Sequence, residues 1–149
     1  MNSDRFAAKG TLPIKHETKI LLFDCHELES TLIAEILVNI GCIVTSVFDV
    51  NSCICQFADG KYDLVILDQA TSGTDIHNLV SKFEEIDPFT PIAMMTSTSV
   101  DLYAEGFAQS NIDFLVPKPF GRLQLFRLIE EAVVFSQRLQ RRNRTDVNK

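Results

Sequence analysis

Asp63-Leu64-Val65-Ile66-Leu67-Asp68 decides how this chain is read. Four consecutive apolar residues between two acids are too few for a helix. Being apolar throughout, they suit a central strand covered on both faces, as in a parallel sheet flanked by helices. Asp68 then stands at the strand's end. The same arrangement recurs on either side: Lys19–Phe23 runs into Asp24, Pro91–Met95 into Thr96, and Ile112–Val116 into Lys118 just beyond it. Cys42–Val47 supplies a further strand.

Helical periods fill the intervals. Leu28, Leu32, Ile33, Ile36, Leu37 and Ile40 recur at steps of three and four, with Gly41 as the expected C-cap. Asn51–Ala58 forms a short helix closed by Gly60. A third helix runs from near Asp75 to Ile86, carries Ile76, Leu79, Val80 and Phe83 on one face, and stops at Asp87-Pro88. Val100–Gln109 is a weaker helical stretch, since Gly106 at its centre lowers helix propensity by about 1 kcal/mol relative to Ala. The last helix begins near Pro119, with a stripe of Leu125, Leu128, Ala132, Phe135 and Leu139. Alternating strands and helices define an α/β chain of (βα)5 order, with right-handed crossovers and helices on both faces of one parallel sheet.

A length of 149 residues accommodates one domain with a substantial core. Residues 1–17 read as an N-terminal extension, 18–139 as the domain and 140–149 as a basic C-terminal tail or linker. The net charge of -6 argues against general nucleic-acid binding, although Arg138, Arg141, Arg142 and Arg144 cluster locally. No apolar run approaches the roughly 20 residues of a membrane helix, and Met1–Thr18 lacks the apolar segment of a signal peptide. The expected location is cytoplasmic. Cys25, Cys42, Cys53 and Cys55 have no zinc-like spacing and read as reduced thiols.

Parallel strands bring their C-terminal ends to one rim, the place where open α/β sheets hold ligands. Asp24, Asp68, Thr96 and Lys118 would meet there. Two buried carboxylates repel each other, so a divalent cation and Lys118 are the natural partners. Mg2+ suits one or two carboxylates completed by waters and phosphate oxygens. Asp68 could then attack a phosphodonor and become an aspartyl phosphate, Thr96 donating a hydrogen bond to the phosphoryl group and Lys118 pairing with its oxygens. Taken singly, each residue has a plain alternative: Asp68 as a turn-forming acid, Thr96 as a helix cap. Their joint occurrence at successive strand ends favours the site.

These segments resemble the receiver domains of bacterial two-component response regulators. Ile20-Leu21-Leu22-Phe23-Asp24 resembles the first strand and its acid, Tyr62–Asp68 the strand before the phosphoacceptor, Pro91–Thr96 the strand with the switch hydroxyl, and Val116-Pro117-Lys118-Pro119-Phe120 the Lys-Pro-Phe signature. The resemblance covers roughly Thr18–Leu139. It implies a flavodoxin-like doubly wound sheet of strand order 2-1-3-4-5. Asp68 is then the phosphoacceptor, Thr96 the switch hydroxyl and Lys118 the phosphate-pairing lysine, while Asp24, Asp68 and the backbone carbonyl of Ala70 hold Mg2+. The implied donor is a sensor histidine kinase or histidine phosphotransfer protein. The implied role is a switch of a protein-interaction surface, with self-phosphorylation in place of enzymatic turnover.

Some positions depart from the family. Cys25 stands where a second acid is usual, which weakens the claim on a hard cation by removing a charge worth on the order of 4 kcal/mol in bare Coulomb terms. Glu27 is a nearby acid but begins the first helix, and His26 reads as an exposed residue at the helix entrance. Leu115 occupies the usual aromatic position unless a one-residue bulge brings Phe114 there. The alternative reading is a degenerate receiver, a phosphorylation-independent interaction or dimerisation module. Val133, Val134 and Phe135 would supply surface for a homodimer. A flavodoxin-like cofactor binder fits less well, because Asp24 and Glu27 would repel an anion after the first strand.

Overall fold

Alternate side chains of the first strand enter two separate apolar layers. In β1 (Lys19–Phe23), Ile20 and Leu22 belong to one cluster, Leu21 and Phe23 to the other, and all four are fully buried. The computed structural model describes residues 17–69, 75–96, 111–118 and 120–147. Within them β1 is followed by α1 (Glu27–Ile40), β2 (Ile43–Val47), α2 (Val50–Asp59), β3 (Leu64–Asp68), α3 (Ile76–Ile86), β4 (Ile92–Thr96), β5 (Phe114–Pro117) and α4 (Arg122–Val147). The stretch Val100–Gln109, expected to be helical, lies outside the described residues, as do Ala70 and Pro119.

The strands form one sheet in the order β2-β1-β3-β4-β5, and every pairing is parallel. Helices α1 and α4 cover one face, where Ile33, Leu37, Leu125 and Ile129 pack against Ile20, Leu22, Ile66 and Met95. Helices α2 and α3 cover the other, where Phe57 and Phe83 meet at 4.5 Å between ring centroids beneath Val65 and Leu67. This two-sided cover explains the uninterrupted apolar run of β3.

Local chemistry fixes the helix ends. The Asp49 side chain accepts from Ser52 N–H at 2.8 Å to start α2, and Asp75 accepts from Asn78 N–H at 3.2 Å to start α3. Gly41 closes α1 with φ of 113°, in the left-handed region that only glycine enters cheaply, and its N–H reaches back to the carbonyls of Leu37 and Val38.

Three sequence expectations need correction. Leu28 and Leu32 do not face the core but are 78% and 54% exposed. The inward row of α1 is Ser30, Ile33 and Leu37, which pack toward the sheet, and the same rotation brings Glu29 to Lys118 at the rim. The fifth strand begins at Phe114 rather than Ile112, since the Ile92 N–H that would open its ladder is taken by the Asp113 side chain at 2.8 Å. Finally, β4 and β5 advance one for one from Ala93↔Phe114 to Thr96↔Pro117, so no bulge rephases Phe114. Phe114 packs edge-on against Phe135 at 5.5 Å, and Leu115, on the other side of the strand, is 46% exposed.

Candidate functional site

Register alone gathers the predicted residues. Phe23 pairs with Leu67, so Asp24 follows beside Asp68; Asp68 pairs with Met95, so Thr96 is next; Thr96 pairs with Pro117, so Lys118 completes the row. Backbone hydrogen bonds extend the ladders one step past the strands. Asp24 N–H donates to the Val47 carbonyl at 3.3 Å, Gln69 N–H to Met95 at 3.0 Å, and Lys118 N–H to Thr96 at 2.8 Å. Sheet hydrogen bonds therefore hold the backbone that carries the acidic groups and the lysine. Asp24, Asp68 and Thr96 are buried, whereas the Lys118 side chain retains 26% of its exposure.

Lys118 Nζ donates to Asp68 Oδ1 at 3.2 Å and also to Glu29 Oε1 at 2.6 Å. Burial disfavours the ammonium, but its contacts with Glu29 and Asp68 outweigh that and hold the lysine above its ordinary range. Asp24 is in the opposite position. Its Oδ1 accepts from the His26 N–H at 2.8 Å, while its Oδ2 is buried and accepts no hydrogen bond from any described residue. Burial pushes the Asp24 carboxyl up to about 6; the His26 N–H opposes this, and the charges of Asp68 and Glu29 add to it.

Sequence reasoning missed two members of the cluster. Ligand atoms of Asp24, His26, Glu29 and Asp68 lie within 4.8 Å of one another. His26 Nδ1 sits 3.3 Å from Asp24 Oδ1 and 3.9 Å from Asp68 Oδ2, although the side chain is 59% exposed. Glu29, not Glu27, is the additional acid. The available signal was helix geometry. Side chains in a first turn point back toward the helix N-terminus, so a residue four places after Cys25 reaches over the rim that the strand has just left. Cys25 is not part of this donor set, and its Sγ lies 3.4 Å from the Phe48 carbonyl oxygen.

Among the described residues, three carboxylates thus face one ammonium and one imidazole, a local excess of negative charge suited to a cation. The orphaned Asp24 Oδ2 is a buried acceptor awaiting such a partner. Among the described residues, no helix is long and apolar enough to cross a membrane.

A parallel 2-1-3-4-5 sheet with acids and a lysine at its C-terminal rim is the architecture of a phosphorylation-signalling module. The family model for the response regulator receiver domain matches residues 20–130, and the chain belongs to that family. It is 27% identical over 130 residues to the transcription factor SKN7 of Candida albicans, covering 87% of this chain and 23% of that protein. It is 24% identical over 120 residues to the transcription factor prr1 of Schizosaccharomyces pombe, covering 80% and 22%. The chain therefore spans less than a quarter of the length of these curated relatives.

Among solved structures, the receiver domain of the sensor histidine kinase PA1611 of Pseudomonas aeruginosa, which has a magnesium ion coordinated in its active site cleft, superposes with a TM-score of 0.72. Identity is 22%, with 79% of this chain and 98% of that one covered. The receiver domain of NtrX from Brucella abortus gives 0.70 at 25% identity, covering 76% and 97%.

Proposed function

We propose that residues 18–139 act as a phosphorelay receiver in which Asp68 takes a phosphoryl group from a sensor histidine kinase or a histidine phosphotransfer protein. An Asp68 carboxylate oxygen forms the new bond to phosphorus as the donor's P–N bond breaks, and the imidazole leaves with the bonding electron pair. Lys118, which donates a hydrogen bond to Asp68, pairs with the phosphoryl oxygens in this reading. Thr96, on the same rim, donates its hydroxyl to one of them in this reading.

Asp24 and Asp68, with the backbone carbonyl of Ala70, would hold a divalent cation. Mg2+ fits because it takes one or two carboxylates and completes its shell with waters and phosphate oxygens. When bound, the cation neutralises the charge that otherwise keeps a phosphate away from these acids. The observation that carries this reading is the buried Asp24–Asp68 pair with Lys118 Nζ at 3.2 Å from Asp68 Oδ1. Cys42, Cys53 and Cys55 carry unbridged thiols, which suits a cytoplasmic location. The output is a change in a protein-contact surface read by a downstream partner or a second copy of the chain. Direct contact with nucleic acid is not part of this reading.

Incubation with Mg2+ and phosphoramidate, followed by intact-mass measurement, tests it. The wild-type chain gains about 80 Da, the mass of one phosphoryl group, and Asp68→Asn gains none. A folded wild-type chain that gains nothing from several small phosphodonors would overturn the proposal in favour of a phosphorylation-independent module.

A further inference from the structure

The departure at Cys25 leaves the rim one acid short in sequence, yet the fold delivers two other donors to the same place. His26 enters with an imidazole nitrogen and Glu29 with a carboxylate, both within 4.8 Å of the Asp24 and Asp68 ligand atoms. The donor set is therefore no longer the all-oxygen set that a hard cation prefers. We infer that His26 and Glu29 replace the missing acid and retune the site toward borderline first-row divalent ions such as Zn2+ and Co2+. The inference rests on the receiver reading for its purpose, since the site that would take the ion is the one at which phosphoryl transfer is proposed.

The buried, unpartnered oxygen of Asp24 points to a ligand rather than to a mere acidic surface. Asp24 is wholly buried, and its Oδ2 accepts nothing from the described residues, a situation that costs stability unless a cation arrives. His26, although 59% exposed, brings Nδ1 to 3.3 Å from Asp24 Oδ1 and 3.9 Å from Asp68 Oδ2, so an imidazole nitrogen stands beside both carboxylates. Donors around a late first-row ion bonded at about 2.0–2.2 Å stand roughly 3–4.4 Å apart. Small movements of the His26 and Glu29 side chains would close the present cluster to that size. Lys118 bridges Glu29 and Asp68. It ties the replacement acid to the phosphoacceptor, so that the charge on one is felt at the other.

Raw preference for Zn2+ over Mg2+ is not diagnostic, because late first-row ions bind most nitrogen–oxygen sites more tightly. The discriminating quantity is how each affinity responds to loss of the imidazole. We would titrate the full chain with Zn2+, Co2+ and Mg2+ by calorimetry in a His77→Gln, Cys55→Ser background, which removes two exposed competitors. Adding His26→Gln should weaken Zn2+ and Co2+ at least tenfold while changing Mg2+ less than threefold. Adding Glu29→Gln should weaken all three. His26 is largely exposed, so its variant keeps the fold, and a thermal melt verifies this.

Zinc affinity unchanged by His26→Gln, or a zinc site that survives Asp24→Asn, would overturn the inference. Phosphoryl transfer measured by mass in parallel separates the two levels. Phosphorylation without a His26-dependent metal response discards the tuning and leaves Asp68 as acceptor. A His26-dependent metal response with no phosphorylation under any of the three ions keeps the metal site and removes the acceptor reading.

Discussion

The two rims of the sheet both carry acids, but only one of them is chemically unsettled. At the N-terminal rim, Asp63 Oδ2 accepts from the Lys19 N–H and Asp113 Oδ2 from the Ile92 N–H, each at 2.8 Å. These side chains stitch neighbouring strands together where the ladders begin. At the C-terminal rim, Asp24 and Asp68 are buried side by side with Glu29 close by, and Lys118 is shared between the last two. One pair of acids is satisfied by backbone donors and serves the fold. The other is crowded with its own kind, and the fold tolerates it because the site has work to do. A buried carboxyl such as Asp24, raised by burial and by the charges of neighbouring carboxylates, is a common mark of function.

Substitutions at matched positions break or sharpen this contrast. The largest expected difference is all or none: Asp68→Asn abolishes phosphoryl uptake from acetyl phosphate, whereas Asp113→Asn leaves it intact, as read by intact mass. Stability should move in opposite directions at the two rims. Asp24→Asn removes one of three crowded carboxylates and should raise metal-free stability by about 1–2 kcal/mol above neutral pH in urea unfolding. The sign follows from titration: burial raises the folded-state Asp24 carboxyl to about 6, above its ordinary value of 3.8. The folded wild-type chain therefore binds the extra proton and is favoured at low pH. That contribution is lost as the pH climbs from 3.8 through about 6, so the variant's advantage opens across this window.

At the other rim, Asp113→Ala should cost about 1 kcal/mol, since it strands the N–H of the buried Ile92. The smallest change is expected from Cys25→Asp, which adds a charge at a partly exposed position. Metal-free stability should fall by about 0.5 kcal/mol or less, while Mg2+ binding tightens measurably by calorimetry.

Much of this contrast was legible in the residues. Uninterrupted apolar runs such as Leu64–Leu67 specify doubly covered parallel strands, and once strands are parallel their last residues share an edge. Asp24, Asp68, Thr96 and Lys118 followed from that alone. What could not be read was rotation. The period of α1 includes Leu28 and Leu32 as readily as Ser30, Ile33 and Leu37, and only the packed helix shows that the latter row faces the sheet. The same rotation decides that Glu29 rather than Glu27 reaches Lys118. His26 looked like a solvated helix entrance because exposure and orientation are separate properties, and a side chain 59% exposed still directs Nδ1 at two carboxylates. Strand phase was similarly hidden at β5, where a bulge was conceivable until the register with β4 proved continuous.

The most direct test of the central claim locates the phosphoryl group itself. After reaction with acetyl phosphate, borohydride reduces an acyl phosphate to the corresponding alcohol, and peptide mass spectrometry then reads each acid in turn. Homoserine at position 68 alone is the predicted result. Unmodified aspartate at position 68, or reduction at Asp24 or Asp63 instead, would contradict it.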